Sequence, residues 1–177
     1  DNVHLGGYPG PLREMAGVWV EEIDALAPEQ TNEVKFTDGT TASCNLLCDL
    51  IHLEGAEALA TYEKDFYAGM PAATRNTYGE GAAYYVGTQM DAAGLAKILD
   101  RAVSEVGVKA VIPETTGLEV TCRTSDDTRY YYMMNFKDED QILPESLAGK
   151  IDLISGEVIP AGTVLKKWDV LILQEAK

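Results

Sequence analysis

Asp91-Ala92-Ala93-Gly94-Leu95-Ala96-Lys97-Ile98-Leu99-Asp100-Arg101-Ala102-Val103-Ser104-Glu105-Val106 is the stretch on which the fold turns. Leu95, Ile98, Leu99, Ala102, Val103 and Val106 recur at the spacing of one face of an α-helix. Asp91 is placed to cap its first turn, and Gly107 stands where a helix closes. The periodicity predicts that this apolar stripe lies on a sheet while Lys97, Asp100, Arg101 and Glu105 face water.

Before the helix the chain reads as strands. Residues 18–26, rich in β-branched and aromatic side chains, bury Val18, Val20 and Ile23 on one side if a bulge intervenes. Residues 33–36 end at the Asp38-Gly39 turn. Residues 44–53 fit either periodicity, but close bounding by Gly39 and Gly55 favours a strand buried over most of its length. Residues 58–62 make another strand. Residues 72–78 pair with 82–87 around Gly79-Glu80-Gly81, whose two glycines supply positive φ for a tight hairpin.

After the helix the pattern changes. Residues 118–123 and 130–136 flank Ser125-Asp126-Asp127-Thr128 as a hairpin. Short apolar runs at 151–153, 158–159, 163–165 and 170–173 are separated by Gly and Pro, the pattern of a small antiparallel sandwich or barrel. A boundary falls near 112–116, dividing the chain into 1–111 and 112–177.

The 177 residues carry 14 Lys and Arg against 29 Asp and Glu, a formal net charge of −15. Both halves are acidic, so the surface repels phosphate backbones and anionic headgroups, and neither nucleic acid nor a membrane surface is an expected partner. A neutral ligand such as a sugar is compatible with it. No apolar run approaches the ~20 residues that span a bilayer. Three cysteines make no disulfide framework and favour a reducing compartment, so the cytoplasm is the expected location. Asp1-Asn2-Val3-His4 shows neither an initiating Met nor a signal pattern, which suggests a cut inside a longer polypeptide.

Several constellations invite a chemical reading. Cys44, Cys48 and His52 recur every four residues and would line one face of a helix as the start of a metal site. On a strand, residues four apart are ~13 Å from each other, which favours buried core cysteines. A nucleophilic Cys44 or Cys122 needs a base, and the only histidines are His4 and His52. Glu21, Glu22, Asp24, Glu54 and Glu57 could supply the two carboxylates of a glycosidase, but nothing in the sequence marks a pair among so many acids. Gly79-Glu80-Gly81 lacks the third glycine of a dinucleotide loop and precedes a strand. Tyr131 and Tyr132 are candidate sugar contacts, with Tyr130 and Tyr132 on one side of their strand and Tyr131 on the other. No catalytic residue, cofactor or metal is expected.

Several stretches resemble glycoside hydrolase family 42 β-galactosidases. They are Leu5-Gly6-Gly7-Tyr8-Pro9-Gly10-Pro11-Leu12-Arg13-Glu14, Gly17-Val18-Trp19-Val20-Glu21-Glu22, and Asp49-Leu50-Ile51-His52-Leu53-Glu54-Gly55-Ala56-Glu57. Tyr78-Gly79-Glu80-Gly81-Ala82-Ala83-Tyr84-Tyr85-Val86-Gly87-Thr88 and, near the end, Trp168-Asp169-Val170-Leu171 continue the likeness in order. The resemblance implies α/β followed by all-β. Residues 1–111 would be the latter part of a flavodoxin-like, amidotransferase-like trimerisation domain, and 112–177 a small β domain. It further implies a homotrimer, and catalytic glutamates in a barrel that these residues do not include. The expected role is assembly and scaffolding of an enzyme that removes terminal β-D-galactose. A carbohydrate-binding module and a self-contained amidohydrolase are the rival readings.

Overall fold

The structure is a computed structural model that describes residues 7–113, 115 and 117–176. It divides into two compact units, the first ending at Val106 and the second starting at Gly107. Every strand pairing recorded in both units is antiparallel.

In the first unit a one-turn helix α1 (Arg13–Ala16) closes on Gly17 in the left-handed conformation and leads into β1 (Val18–Ala25). Then come β2 (Asn32–Phe36), the 13-residue β3 (Thr41–Leu53), β4 (Glu57–Tyr62), β5 (Pro71–Tyr78), β6 (Gly81–Val86), β7 (Thr88–Met90) and helix α2 (Ala92–Glu105). The start of β3 pairs with β2, and its second half pairs with β1. The ladder continues from β2 to β4, β5 and β6. Gly87 completes a ring of hydrogen bonds. Its N–H donates to the Ala72 carbonyl and its carbonyl accepts from the Asp49 N–H, after which β7 pairs with β3. The continuous β6–β7 segment thus bonds β5 at one end and β3 at the other. A Cβ at Gly87 would stand 2.7 Å from Ile51 Cδ1 and 3.0 Å from Asp49 Cβ, so only glycine fits the closure without displacement.

The core explains the strands. Val34, Phe36, Cys44, Cys48, Leu50, Leu59, Tyr62, Tyr67, Ala72 and Ala73 form one buried cluster, while Val18, Val20 and Ile51 pack on Ala16 and Ala56 in another. β3 therefore has both faces covered in its second half, as an apolar run without clean alternation requires. The expected bulge in β1 falls between Val20 and Ile23, but it turns Ile23 out to solvent rather than into the core. In the β5–β6 hairpin Tyr78 pairs with Gly81 across a two-residue turn. Of its glycines, Gly79 takes the positive φ, 57°, while Gly81 already belongs to β6.

The flavodoxin-like arrangement expected of 1–111 is not what these residues form. A parallel pair needs a crossover of a dozen or more residues, generally helical, between its strands. Here the strands follow one another through short connections, and α2, which lies after them all, is the sole described helix of more than one turn.

In the second unit β8 (Glu119–Thr124) and β9 (Thr128–Met134) form the expected hairpin. β11 (Ile151–Asp152), β13 (Val170–Ala176), β9 and β8 make a four-stranded sheet, and β10 (Gln141–Ile142) pairs with β12 (Val164–Leu165). One core of Ile112, Tyr131, Met133, Leu143, Leu147, Ile159, Leu165 and Leu173 serves both sheets. Between the strands, backbone is fixed by two buried polar side chains. Asn135 donates to the carbonyls of Glu139, Leu165 and Lys166 and accepts from the Lys137 N–H. Asp152 accepts from the Ile154 and Ser155 N–H groups and the Ser155 hydroxyl. No described helix is long and apolar enough to cross a membrane.

Candidate functional site

On the β1–β3 surface Trp19 and His52 stand opposite each other in register, and their rings stack with centroids 4.9 Å apart. The Arg13 guanidinium lies 5.7 Å over the same indole. Carboxylates close the cluster. Glu21 meets His52 Nε2 at 2.7 Å, and Glu54 is bound by Arg13, whose Nε donates over 2.6 Å. Arg13 holds the Glu54 carboxyl below its ordinary range. The remaining acids weighed for glycosidase chemistry also have identifiable surroundings. Asp24 accepts from the Tyr67 hydroxyl at 2.9 Å, Glu57 accepts from Arg101 at 2.8 Å, and Glu22 is exposed. The carboxylates with recorded partners are occupied with arginine, imidazole and hydroxyl groups of the fold.

Cys44 and Cys48 project into the core, Cys48 Sγ lying 3.7 Å from the Thr88 hydroxyl, while His52 sits with Trp19 at the surface. The three are divided between core and surface, and among the described residues no group of three His, Cys, Asp or Glu could hold a metal ion. Hydrogen bonding to Cys48 and then burial push the Cys44 thiol up, while the same contact favours the thiolate at Cys48. Both sulfurs are enclosed. Cys122 is half-buried on β8, its sulfur 3.6 Å from the Arg123 carbonyl. His4 lies outside the described residues.

Asp49 escaped the sequence reading. It is 4% exposed, on the strand between both clusters, and accepts the Tyr85 hydroxyl at Oδ2. Oδ1 has no hydrogen-bond partner among the described residues. Burial raises its pKa, and the Tyr85 bond opposes the rise. A lone carboxylate within Leu47-Cys48-Asp49-Leu50-Ile51 was the signal available in the sequence.

In the second unit Tyr131 is 8% exposed, belongs to the core, and donates its hydroxyl to Glu175 over 2.7 Å. That bond is the main cause of its raised pKa. Lys150 binds Glu175 and lies 5.5 Å over the Tyr131 ring. Tyr131, Arg129, Lys150 and Glu175 line a cavity of about 270 Å³. Tyr132 is half-buried and its side chain stands on the other side of β9.

Helix α2 is set differently from expectation. Asp91 caps it as predicted, accepting from the Gly94 N–H at 2.8 Å, and its other oxygen accepts from Ser43 N on β3. The helix approaches β3 through Gly94, where a Cβ would come within 2.7 Å of Ala42 Cβ, and inserts Ile98 into the core. The charged residues reach toward the strands. Lys97 pairs with Asp38, Arg101 with Glu57, and Glu105 with Arg75 and Tyr84. Leu95, Leu99, Val103 and Val106 are consequently 43%, 54%, 44% and 73% exposed. Periodicity reveals that a helix is amphipathic, whereas the close contact at Gly94 and the ion pairs decide which arc meets the sheet.

Residues 1–109 match the family described as the β-galactosidase trimerisation domain, and 117–175 match the β-galactosidase C-terminal domain, both of glycoside hydrolase family 42. The β-galactosidase LacA of Lactobacillus acidophilus is 42% identical over 98% of this chain, and BgaA of a Planococcus species is likewise 42% identical. The chain spans about a quarter of these relatives, 26% of each. Among solved structures, the β-galactosidase of Bacillus circulans sp. alkalophilus superposes with a TM-score of 0.85 at 39% identity, covering 99% of this chain and 27% of that one. That of Rahnella sp. R3 gives 0.82 at 34%, covering 100% and 26%. With both units matched in order, the chain belongs to the glycoside hydrolase family 42 β-galactosidases.

Proposed function

We propose that this chain is a non-catalytic portion of a β-galactosidase acting on terminal non-reducing β-D-galactose, and that it serves subunit assembly and scaffolding. In this reading 1–111 is the latter part of the trimerisation domain and 112–177 the small β domain. The barrel that breaks the bond belongs to the same longer polypeptide, and the assembly is a homotrimer working in the cytoplasm, where free cysteines persist. The observation that carries the reading is the match of both units to the two named non-barrel domains, over about a quarter of relatives that are β-galactosidases. The engagement of Glu21, Asp24, Glu54 and Glu57 with His52, Tyr67, Arg13 and Arg101 agrees with it.

Incubating the purified chain with a chromogenic β-galactoside tests the first half. No turnover above buffer is expected, and steady hydrolysis that survives repurification would overturn the assignment.

A second reading, a carbohydrate-binding role through Tyr131 and Tyr132, draws on the cavity bordered by Tyr131, Arg129, Lys150 and Glu175. Calorimetric titration with galactose and galactosides decides it. Saturable heat lost in Tyr131→Phe, which removes only the hydroxyl, would favour it, and no heat would dismiss it.

A further inference from the structure

β7 opposes β3 out of step. Cys44 pairs with Met90 and Asn45 with Gln89, but the next pair is Cys48 with Thr88, so Leu46 and Leu47 have no counterpart in β7. Leu46 makes the detour in the left-handed region, at φ 69°, and is exposed. Three residues lie between the two cysteines, whereas only Gln89 lies between the residues opposite them. Positions two apart on a strand are ~6.6 Å from each other and share a face, so the detour replaces the ~13 Å of an even strand. That separation is at the upper end of the ~4.4–6.8 Å over which two Cα atoms carry a disulfide. The thiols are in contact, Cys44 donating its hydrogen bond to the Cys48 sulfur, and both are buried.

We infer that Cys44 and Cys48 form a peroxide-responsive dithiol that closes to a disulfide within one chain. Hydrogen peroxide is the oxidant. Cys44 lines a cavity of about 160 Å³ with Ser43, Asn45, Gln89, Met90 and Asp91, which has room for a molecule little larger than water. The hydrogen bond from Cys44, aided by Tyr67 and Thr88, favours the Cys48 thiolate against burial, and the thiolate is the nucleophilic form. The Cys48 sulfur attacks one peroxide oxygen, the O–O bond breaks, and the departing hydroxide takes the Cys44 proton to become water. The Cys44 thiolate then attacks the sulfenic sulfur of Cys48. The S–S bond forms, the S–O bond breaks, and the second hydroxide takes up the proton that Cys48 had released on ionising. Two thiols and one peroxide thus give one disulfide and two waters, the sulfurs losing the two electrons that the peroxide gains. Closure spares Cys48 the sulfinic and sulfonic stages.

Peptide mapping of the full chain reads the result. Trypsin leaves both cysteines in residues 36–64 and Cys122 in residues 110–123. The folded chain is exposed briefly to excess hydrogen peroxide and then alkylated in denaturant. Peptide 36–64 should be lighter by two hydrogens and carry no alkyl group, and dithiothreitol should restore two. In Cys44→Ala the peptide should gain oxygen at Cys48, which lacks its partner, while in Cys48→Ala the remaining Cys44 should stay open to alkylation. Circular dichroism establishes that both variants are folded, and the unsubstituted chain decides the cross-link without them.

A peptide 36–64 that keeps two alkyl groups while Cys122 is oxidised would overturn the proposal. So would a cross-link that joins two chains, or one that forms only in urea. Oxidation of Cys44 in Cys48→Ala with none of Cys48 in Cys44→Ala would overturn Cys48 as the attacking sulfur.

Discussion

The two units solve the same problem with different materials. The first closes seven strands around large enclosed side chains, among them Tyr62, Tyr67, Phe36 and Leu59, and its ladder returns on itself at Gly87. The second has short strands, three of them only two residues long, and depends on Asn135 and Asp152 to give its connecting backbone partners. Strand ladders consume their own N–H and C=O groups, whereas irregular backbone must find them elsewhere. The smaller the share of regular structure, the more a unit rests on a few polar residues whose every bond is made.

Trp19 lies in the first unit and Trp168 in the second, so replacing one or the other by Phe gives a separate fluorescence reporter for each. The largest expected effect is Tyr62→Ala, which empties a fully enclosed site and removes the bond to the Gly87 carbonyl. Urea unfolding followed by Trp19 should lose about 3–5 kcal/mol while the Trp168 transition stays in place. A matching shift in both transitions would show that the units do not unfold separately.

Asn135→Ala comes next. It removes the donor to three carbonyls and should lower the Trp168 transition by about 2–3 kcal/mol without moving that of Trp19. A loss under ~0.5 kcal/mol would contradict the importance given to buried polar residues in the second unit.

The smallest effect concerns pH. Asp49 has a folded pKa raised above its unfolded value by burial. Its contribution is therefore fully present below about 3.9 and is lost as pH rises through the folded pKa. Asp49→Asn should raise the Trp19 midpoint more at pH 7 than at pH 4. An equal change at both values would show that the carboxylate's charge is not what burial opposes. On the acid side Glu105, held down to about 2 by Arg75 and Tyr84, contributes stability above its unfolded pKa that is lost as pH falls toward 2.

Much of this was legible in the residues. Asp91 marked the start of α2, Gly79-Glu80-Gly81 the hairpin turn, and residues 44–53 a strand buried over much of its length. Local rules suffice where caps and turns are local. They do not suffice where distant segments compete. The outward turn of Leu95 and Leu99 depends on Gly94 meeting Ala42 and on Arg101 meeting Glu57, contacts between residues 52 and 44 positions apart. Ile23 is exposed because β1 bulges against β3, a register that neither strand specifies alone. At the candidate site, the irregularity between Asn45 and Cys48 brings the two core cysteines into contact while His52 lies farther along β3 with Trp19, and Asp49 was passed over because acids are abundant in this chain. The flavodoxin-like expectation came from resemblance rather than from periodicity, and the short connections of these residues do not form that arrangement.

β3 also has a consequence for biosynthesis. It bonds with β1 and β2, made before it, and with β7, made some forty residues after it. A nascent chain leaving the ribosome at ~5–20 residues per second therefore exposes one flank of its longest strand for several seconds, until Thr88-Gln89-Met90 emerges. The flank most open to wrong partners is covered by the last strand of its unit, and a chaperone that recognises extended apolar segments has its briefest and most useful opportunity there.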